Sequence, residues 1–112
     1  MVILDDIGPL GVDDNVASLP KGFELHQNYP NPFNPETQIS YTIPRALTVS
    51  LKIYNMLGQE VRTLVSEAKT AGTHTINWNG TNNQGVKVAS GLYIYTLRAG
   101  EFVQSKKMTF MK

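Results

Sequence analysis

The sequence contains no cysteine, and only two histidines and one tryptophan in 112 residues. The absence of cysteine excludes a disulfide framework, a thiolate metal site and a cysteine nucleophile. No apolar run approaches the roughly 20 residues that a membrane-spanning helix needs, so we expect no membrane insertion. The amino terminus also lacks the basic start and long apolar centre of a secretory signal. If the protein is exported, we therefore expect the chain to be a C-terminal fragment with its export signal upstream.

Positively charged side chains are missing from the first part of the chain. Residues 1–19 carry four aspartates and no lysine or arginine, whereas the rest of the chain has a net charge of +5. Several glycines and prolines also break this acidic segment. We therefore predict that residues 1–20 are a linker from an upstream passenger domain, and that residues 21–112 form one domain. The positive charge is spread too thinly to predict a nucleic-acid partner.

The sequence offers no set of residues that is typical of catalysis. His26 and His74 lie far apart and belong to no paired-histidine motif. No serine lies in a GxSxG elbow, and the five glutamates are scattered one to a strand or turn. We therefore predict a protein that is not an enzyme, with no catalytic residue, no cofactor and no protein-bound metal.

Two weaker binding signals are present. The stretches DDNVAS and NGTNNQG are rich in oxygen ligands and could bind calcium, but neither has the DxDxDG spacing, and a glycine-permitted turn is the better interpretation of the second. Tyr54 and Phe102, if exposed, would suggest a carbohydrate platform. Lone aromatic side chains on sheets usually pack against neighbours, however.

The clearest local pattern lies in residues 28–44, NYPNPFNPETQISYTIP. Its first eight residues contain three prolines, which fix their own φ angles, remove backbone donors and push each preceding residue out of the helical region. This part predicts a stiff, extended or turning arm. The residues that follow alternate between apolar and polar, as a half-buried strand does.

Similar alternation recurs along the rest of the chain and predicts seven strands without a convincing helix. The other predicted strands lie near residues 23–27, 47–54, 59–65, 73–78, 92–99 and 102–111, with a hairpin turn at residues 55–58. This spacing favours an all-β fold, an antiparallel immunoglobulin-like β-sandwich. We expect its core to contain Ile39, Tyr41, Ile43, Leu47, Val49, Leu51, Ile53, Ile76, Trp78, Tyr93, Tyr95 and Leu97.

Three segments together carry a family resemblance: NYPNPFNPETQISYTIP, LKIYNMLGQEVRTLV, and residues 73–112. In this order they resemble the type A C-terminal sorting domain of type IX secretion cargo, a family that is also similar to the immunoglobulin-like domain of flagellar hook-capping proteins. The resemblance covers residues 19–112. It implies a targeting module of Gram-negative bacteria that carries a secreted passenger through the periplasm and across the outer membrane to the cell surface.

The resemblance also implies partners and site residues. The partners would be an outer-membrane receptor and a sortase-like peptidase that cleaves within residues 1–22. The family's glycine–aromatic motif and lysine-bearing final strand, which matter most for export, fall on Gly91, Tyr93, Lys106, Lys107 and Lys112. Because the final strand ends the chain, we expect it at a sheet edge, where a partner can extend the sheet. Lysines there also serve simply to prevent self-association.

Two other functions are compatible with the sequence. One is an accessory carbohydrate-binding or adhesive module of a secreted hydrolase, which an exposed row of two or three aromatic side chains would favour. The other is a structural assembly domain of the hook-cap type.

Overall fold

A computed structural model describes residues 22–111, and these residues form two packed antiparallel sheets. The predicted linker at residues 1–20 and Lys112 lie outside the described residues. Residues 22–111 contain no helix, and therefore none long and apolar enough to cross a membrane. The seven strands are β1 (Glu24–Leu25), β2 (Thr37–Ile43), β3 (Leu47–Asn55), β4 (Glu60–Lys69), β5 (Gly72–Trp78), β6 (Gly91–Ala99) and β7 (Phe102–Phe110). The predicted immunoglobulin-like sandwich is confirmed.

The strands divide three to four between the sheets. One sheet has the order β1-β2-β5 and the other has the order β4-β3-β6-β7. Strand β7 therefore lies at an edge, as predicted. It pairs with β6 without a bulge from Ala99 opposite Phe102 to Gly91 opposite Phe110.

The hairpin between β3 and β4 follows from its turn residues. The Asn55 side-chain oxygen accepts hydrogen bonds from the backbone nitrogens of Leu57 and Gln59, at 2.9 and 3.0 Å. Gly58 adopts a φ of +82°, which a side chain would disfavour. The tight turn fixes the register in which β3 and β4 begin to pair.

The core lies between the sheets and contains ten of the twelve predicted residues. Leu47 and Ile76 are only half-buried, although they pack against the core, because Leu47 is the first residue of β3 and Ile76 belongs to the edge strand β5. Trp78 is buried, and its ring nitrogen donates to the Thr81 carbonyl oxygen at 2.8 Å. The core also contains buried residues that the pattern did not predict: Phe23, Leu25, Phe33, Val65, Ala99, Phe102, Met108 and Phe110.

Phe102 packs against a neighbouring side chain, as expected of a lone aromatic side chain on a sheet. It is buried, not exposed, and its ring stacks on that of Phe23 with the centroids 5.1 Å apart. Tyr54 is half-buried on the outer face of the four-stranded sheet. Phe102 and Tyr54 thus form no carbohydrate platform.

Candidate functional site

The proline arm, residues 28–35, packs across the sandwich and onto the last strand. Phe33 is almost completely buried, and its ring stacks on Phe110 with centroids 4.9 Å apart and contacts Trp78 at 5.6 Å. The sequence predicted the arm's stiffness but not this anchor, because the proline spacing hides any apolar periodicity. The only sequence signal was the aromatic character of Phe33 itself.

A buried polar residue fixes the start of the arm. The Asn28 backbone nitrogen donates to the Tyr95 hydroxyl at 2.8 Å, and its side-chain amide donates to the Pro30 carbonyl and the Thr37 hydroxyl, at 3.1 and 3.0 Å. The Tyr95 hydroxyl in turn donates to the His26 carbonyl at 2.7 Å. Burial raises the pKa of Tyr95 to about 12, although the Asn28 N–H bond lowers the pKa in part. The arm is therefore held by satisfied buried hydrogen bonds as well as by packing.

The arm covers part of the free edge of β7. Phe33 donates its backbone N–H to the Thr109 carbonyl at 3.0 Å and accepts from the Met111 N–H at 2.9 Å. The Asn31 side-chain oxygen accepts from the Thr109 N–H at 3.0 Å, and the Gln27 amide donates to the Lys107 carbonyl at 2.8 Å. We call residues 107–110 the covered half of β7.

The rest of the edge, residues 102–106, is the open half. Thr109 directs both its N–H and its C=O away from β6, so in a regular antiparallel ladder Val103, Ser105 and Lys107 do the same. Within residues 22–111, no backbone partner meets the outward groups of Val103 and Ser105 or the Lys107 N–H. An unpaired stretch of this kind can accept an additional strand.

The two described lysines of the predicted site point to opposite faces of β7, because successive residues of a strand alternate. Lys107 is exposed on the outer face, in one row with Ile94 and Tyr54. Lys106 is half-buried on the inner face, opposite Tyr95. The lysines therefore do not form a single patch.

Gly91 and Tyr93 occupy the start of β6, next to the covered half. Gly91 is exposed and has a φ of +146°, and its register partner is Phe110. Tyr93 is buried, and its hydroxyl donates to the Ala89 carbonyl at 2.6 Å, a hydrogen bond to the backbone four residues upstream. Burial raises the pKa of the Tyr93 hydroxyl. This hydrogen bond has the geometry of the tyrosine corner of immunoglobulin-like sandwiches. Tyr93 therefore stabilises the start of β6, and its buried side chain is not available for contact with a partner.

The histidines and the asparagine-rich loop have structural contacts. His26 lies 3.3 Å from the Glu24 carboxylate, and His74 bonds to the Thr70 carbonyl at 2.8 Å and stacks on Tyr41. In the NGTNNQG loop, the Asn82 side-chain oxygen accepts from the Gln84 and Val86 backbone nitrogens. No group of three potential metal-ligating side chains occurs within the described residues, and the DDNVAS stretch lies outside them.

Comparisons with known proteins place this geometry in context. The family model for the FlgD Ig-like domain matches residues 33–105, well over half of the chain. No curated protein gives a significant match.

Three solved structures share the fold. Dimeric latent PorU from Porphyromonas gingivalis is 22% identical, with a TM-score of 0.61 over 80% of this chain. FlgD from P. aeruginosa is 17% identical, with a TM-score of 0.53 over 66% of this chain. PorZ, an essential bacterial surface component of the type-IX secretion system of P. gingivalis, is 20% identical, with a TM-score of 0.54 over 88% of this chain. The chain spans 9%, 58% and 13% of those three chains, respectively.

Proposed function

We propose that this chain, which belongs to the family of FlgD Ig-like domains, is a non-catalytic sorting module of the type IX secretion system. In this role it directs a secreted passenger across the outer membrane and supports its surface attachment. The three sequence segments that resemble type A sorting domains support the proposal. The structural likeness to PorZ, itself a surface component of that system, is consistent with the same setting.

The open half of β7 is the observation that carries the proposal. A sorting signal must present a surface that a receptor can hold without unfolding the domain. Val103 and Ser105 offer outward backbone groups for strand pairing, and exposed Lys107 lies immediately beyond them. The edge is thus available in the folded state, on the strand where the family resemblance places its lysines.

The residues of the proposed recognition site have different roles. Lys107 and Arg98 are both exposed on the outer face and suit an acidic receptor, whereas Lys52 on the same face lies 3.2 Å from the Glu60 carboxylate. Lys106 faces inward at the edge, a placement that discourages self-association. Gly91 and Tyr93 act by shaping the corner of β6 next to that surface.

The proposed partners follow from the same role. They are an outer-membrane receptor of the type IX system, a sortase-like peptidase and the upstream passenger domain. The proposed localisation is secreted or cell-surface, by way of the periplasm. The module needs no nucleic acid, cofactor or membrane insertion.

An export assay tests the proposal. Residues 19–112 fused behind a periplasmic reporter should carry it to the surface of a type IX-competent bacterium. Lys107→Ala should reduce the surface reporter severalfold, and Lys106→Ala should have the smaller effect. Both substitutions should change the free energy of unfolding by less than about 0.5 kcal/mol, which a thermal melt checks. Normal export of both folded variants would show that the lysines are ordinary edge-strand charges.

Truncation of the last six residues is a poorer test of the export signal than the lysine substitutions are. It removes Met108 and Phe110, both of which are buried in the core. Loss of export in the truncated chain would then report unfolding as much as loss of a signal, so the single lysine substitutions are preferred.

A structural assembly domain of the hook-cap type is the second candidate. The family match favours it, as does the likeness to FlgD, of which the chain spans 58%. The full-length gene product distinguishes the two functions. A flagellar scaffold upstream would support assembly, whereas a signal peptide followed by a catalytic domain would support sorting.

A further inference from the structure

A surface depression of about 300 Å³ lies on the opposite side of the sandwich from Lys107. It forms where the proline arm meets the outer face of the three-stranded sheet. The residues that line it are Tyr29, Pro30, Glu36, Thr37, Gln38 and Asn77. Neither the sorting function nor the hook-cap function uses this surface.

An aromatic ring and two amides form one row across the depression. Tyr29 and Gln38 exchange two backbone hydrogen bonds of 2.9 Å, so the arm extends the sheet by one residue. Gln38 is in turn the register partner of Asn77 on β5. Because partners in adjacent strands share a face, the three side chains stand side by side on the outer face.

The Tyr29 ring is unusually exposed for an aromatic side chain in a rigid setting. It is 79% accessible, and it is the only aromatic among the strongly exposed apolar residues of the described part of the chain. The preceding Asn28 is buried, and the Thr37 hydroxyl donates to the Pro30 carbonyl at 2.9 Å. These contacts hold the backbone on both sides of Tyr29, so a ligand would meet a preorganised platform.

The polar groups around the ring have free hydrogen-bonding capacity. The side chains of Glu36, Gln38 and Asn77 are exposed and make no hydrogen bond or ion pair with another residue in the range 22–111. Each amide both donates and accepts, and the Glu36 carboxylate accepts only. Adjacent hydroxyl groups of a sugar ring also donate and accept, so they complement this set.

We propose that this depression binds a single neutral sugar residue of a glycan chain. The apolar C–H face of the sugar ring would pack on Tyr29, while its hydroxyls bond to Gln38, Asn77 and Glu36. A neutral sugar fits better than an acidic one, because Glu36 contributes negative charge and no cation lines the depression. This binding function is independent of the proposed sorting function, because it uses the opposite face of the domain.

A nuclear magnetic resonance titration of the ¹⁵N-labelled 112-residue chain tests the proposal. The probes are glucose, galactose, mannose and N-acetylglucosamine, each added to millimolar concentrations. At least one sugar should shift the side-chain amide signals of Gln38 and Asn77. Tyr29→Ala should weaken that binding about tenfold, and Tyr29→Phe should retain it. Tyr54→Ala, on the other sheet, is the matched control and should bind normally.

Three outcomes would overturn the proposal. The first is the absence of any sugar-induced shift at Gln38 and Asn77. The second is unchanged sugar binding by Tyr29→Ala, with its fold verified by its amide spectrum. The third is a shift of the same signals by an extended peptide but not by any sugar, which would assign the depression to peptide binding.

Discussion

The two halves of the β7 edge differ in what meets them, although they belong to one strand. In the covered half, the Thr109 N–H, the Thr109 carbonyl and the Lys107 carbonyl are bonded to Asn31, Phe33 and Gln27, respectively, and the inner face holds Met108 and Phe110 in the core. The outward backbone groups of the open half meet no backbone partner within residues 22–111, and its inner face carries half-buried Gln104 and Lys106 next to the buried Phe102. The difference shows how a strand that is anchored in the core at both ends can have one part of its edge covered and the other part available for pairing.

Removal of the Phe33 ring should give the largest effect on this arrangement. Phe33→Ala leaves a cavity between Phe110 and Trp78, and we expect a loss of about 3–5 kcal/mol of unfolding free energy. Val103→Ala, in the open half, should cost less than about 1 kcal/mol because Val103 is 43% exposed. Urea denaturation of both variants measures the contrast. Equal losses would mean that the two halves are equally anchored.

Gly80 supports the covered half from the neighbouring loop. A Cβ atom at Gly80 would lie 2.6 Å from the Phe110 ring, and the residue has a φ of +73°. Gly85 has a similar φ of +81°, but a Cβ atom there would meet no atom within 4 Å. Gly80→Ala should therefore destabilise the protein by about 1–3 kcal/mol more than Gly85→Ala does, the usual cost of overpacking. Thermal melts of the pair provide the measurement, and similar melting temperatures would contradict the steric account.

Tyr95 should make the anchoring of the arm sensitive to alkaline pH. Its folded-state pKa is about 12, above the ordinary value of 10, so the unfolded chain loses this proton first as pH rises. Stability should therefore fall between about pH 10 and 12, by about 2–3 kcal/mol from this group.

Tyr95→Phe isolates that contribution. At neutral pH the variant should lose about 1–3 kcal/mol, because the buried Asn28 N–H loses its acceptor. Its further loss above pH 10 should be smaller than that of the parent chain. Parallel urea titrations at neutral and alkaline pH compare the two slopes, and identical slopes would exclude Tyr95 as the source.

Asn31 should give the smallest effect. Its side chain is exposed, and its single bond to the Thr109 N–H closes the covered edge. Asn31→Ala should cost no more than about 1 kcal/mol, yet it should speed hydrogen exchange of the Thr109 amide severalfold. Exchange of the Ser105 amide, in the open half, should be fast in both chains. A protected Ser105 amide would show that the open half is not free.

The sequence predicted the sandwich well where apolar and polar residues alternate. Strands β2, β3, β5, β6 and β7 begin and end within one residue of their expected bounds. Strand β4 runs four residues further than expected, because its last residues pair with β3 while mostly exposed, and so leave no apolar signal. The first strand is shorter than expected, at two residues.

The site was less accessible to sequence reasoning. The edge position of the last strand was predicted from the sequence and is confirmed. The division of that edge depends on Phe33 and Asn31, which lie 76 and 78 residues from Thr109 in sequence. The local alternation of apolar and polar residues cannot indicate contacts between residues so far apart in sequence. Strand alternation requires Lys106 and Lys107 to face opposite ways, which the prediction of one shared site did not take into account, and the packed sheets show which face is inner.

The bond between the arm and β7 also determines when the domain can complete its fold. The Phe33 ring stacks on Phe110, and Asn31 bonds to Thr109, so both contacts join segments more than 70 residues apart. Contacts between segments so distant in the chain close late, because the loop entropy must be overcome first. During translation, any domain encoded upstream has therefore left the ribosome before this sandwich can be sealed. A finished sandwich would in this way report that the polypeptide has been made through Phe110.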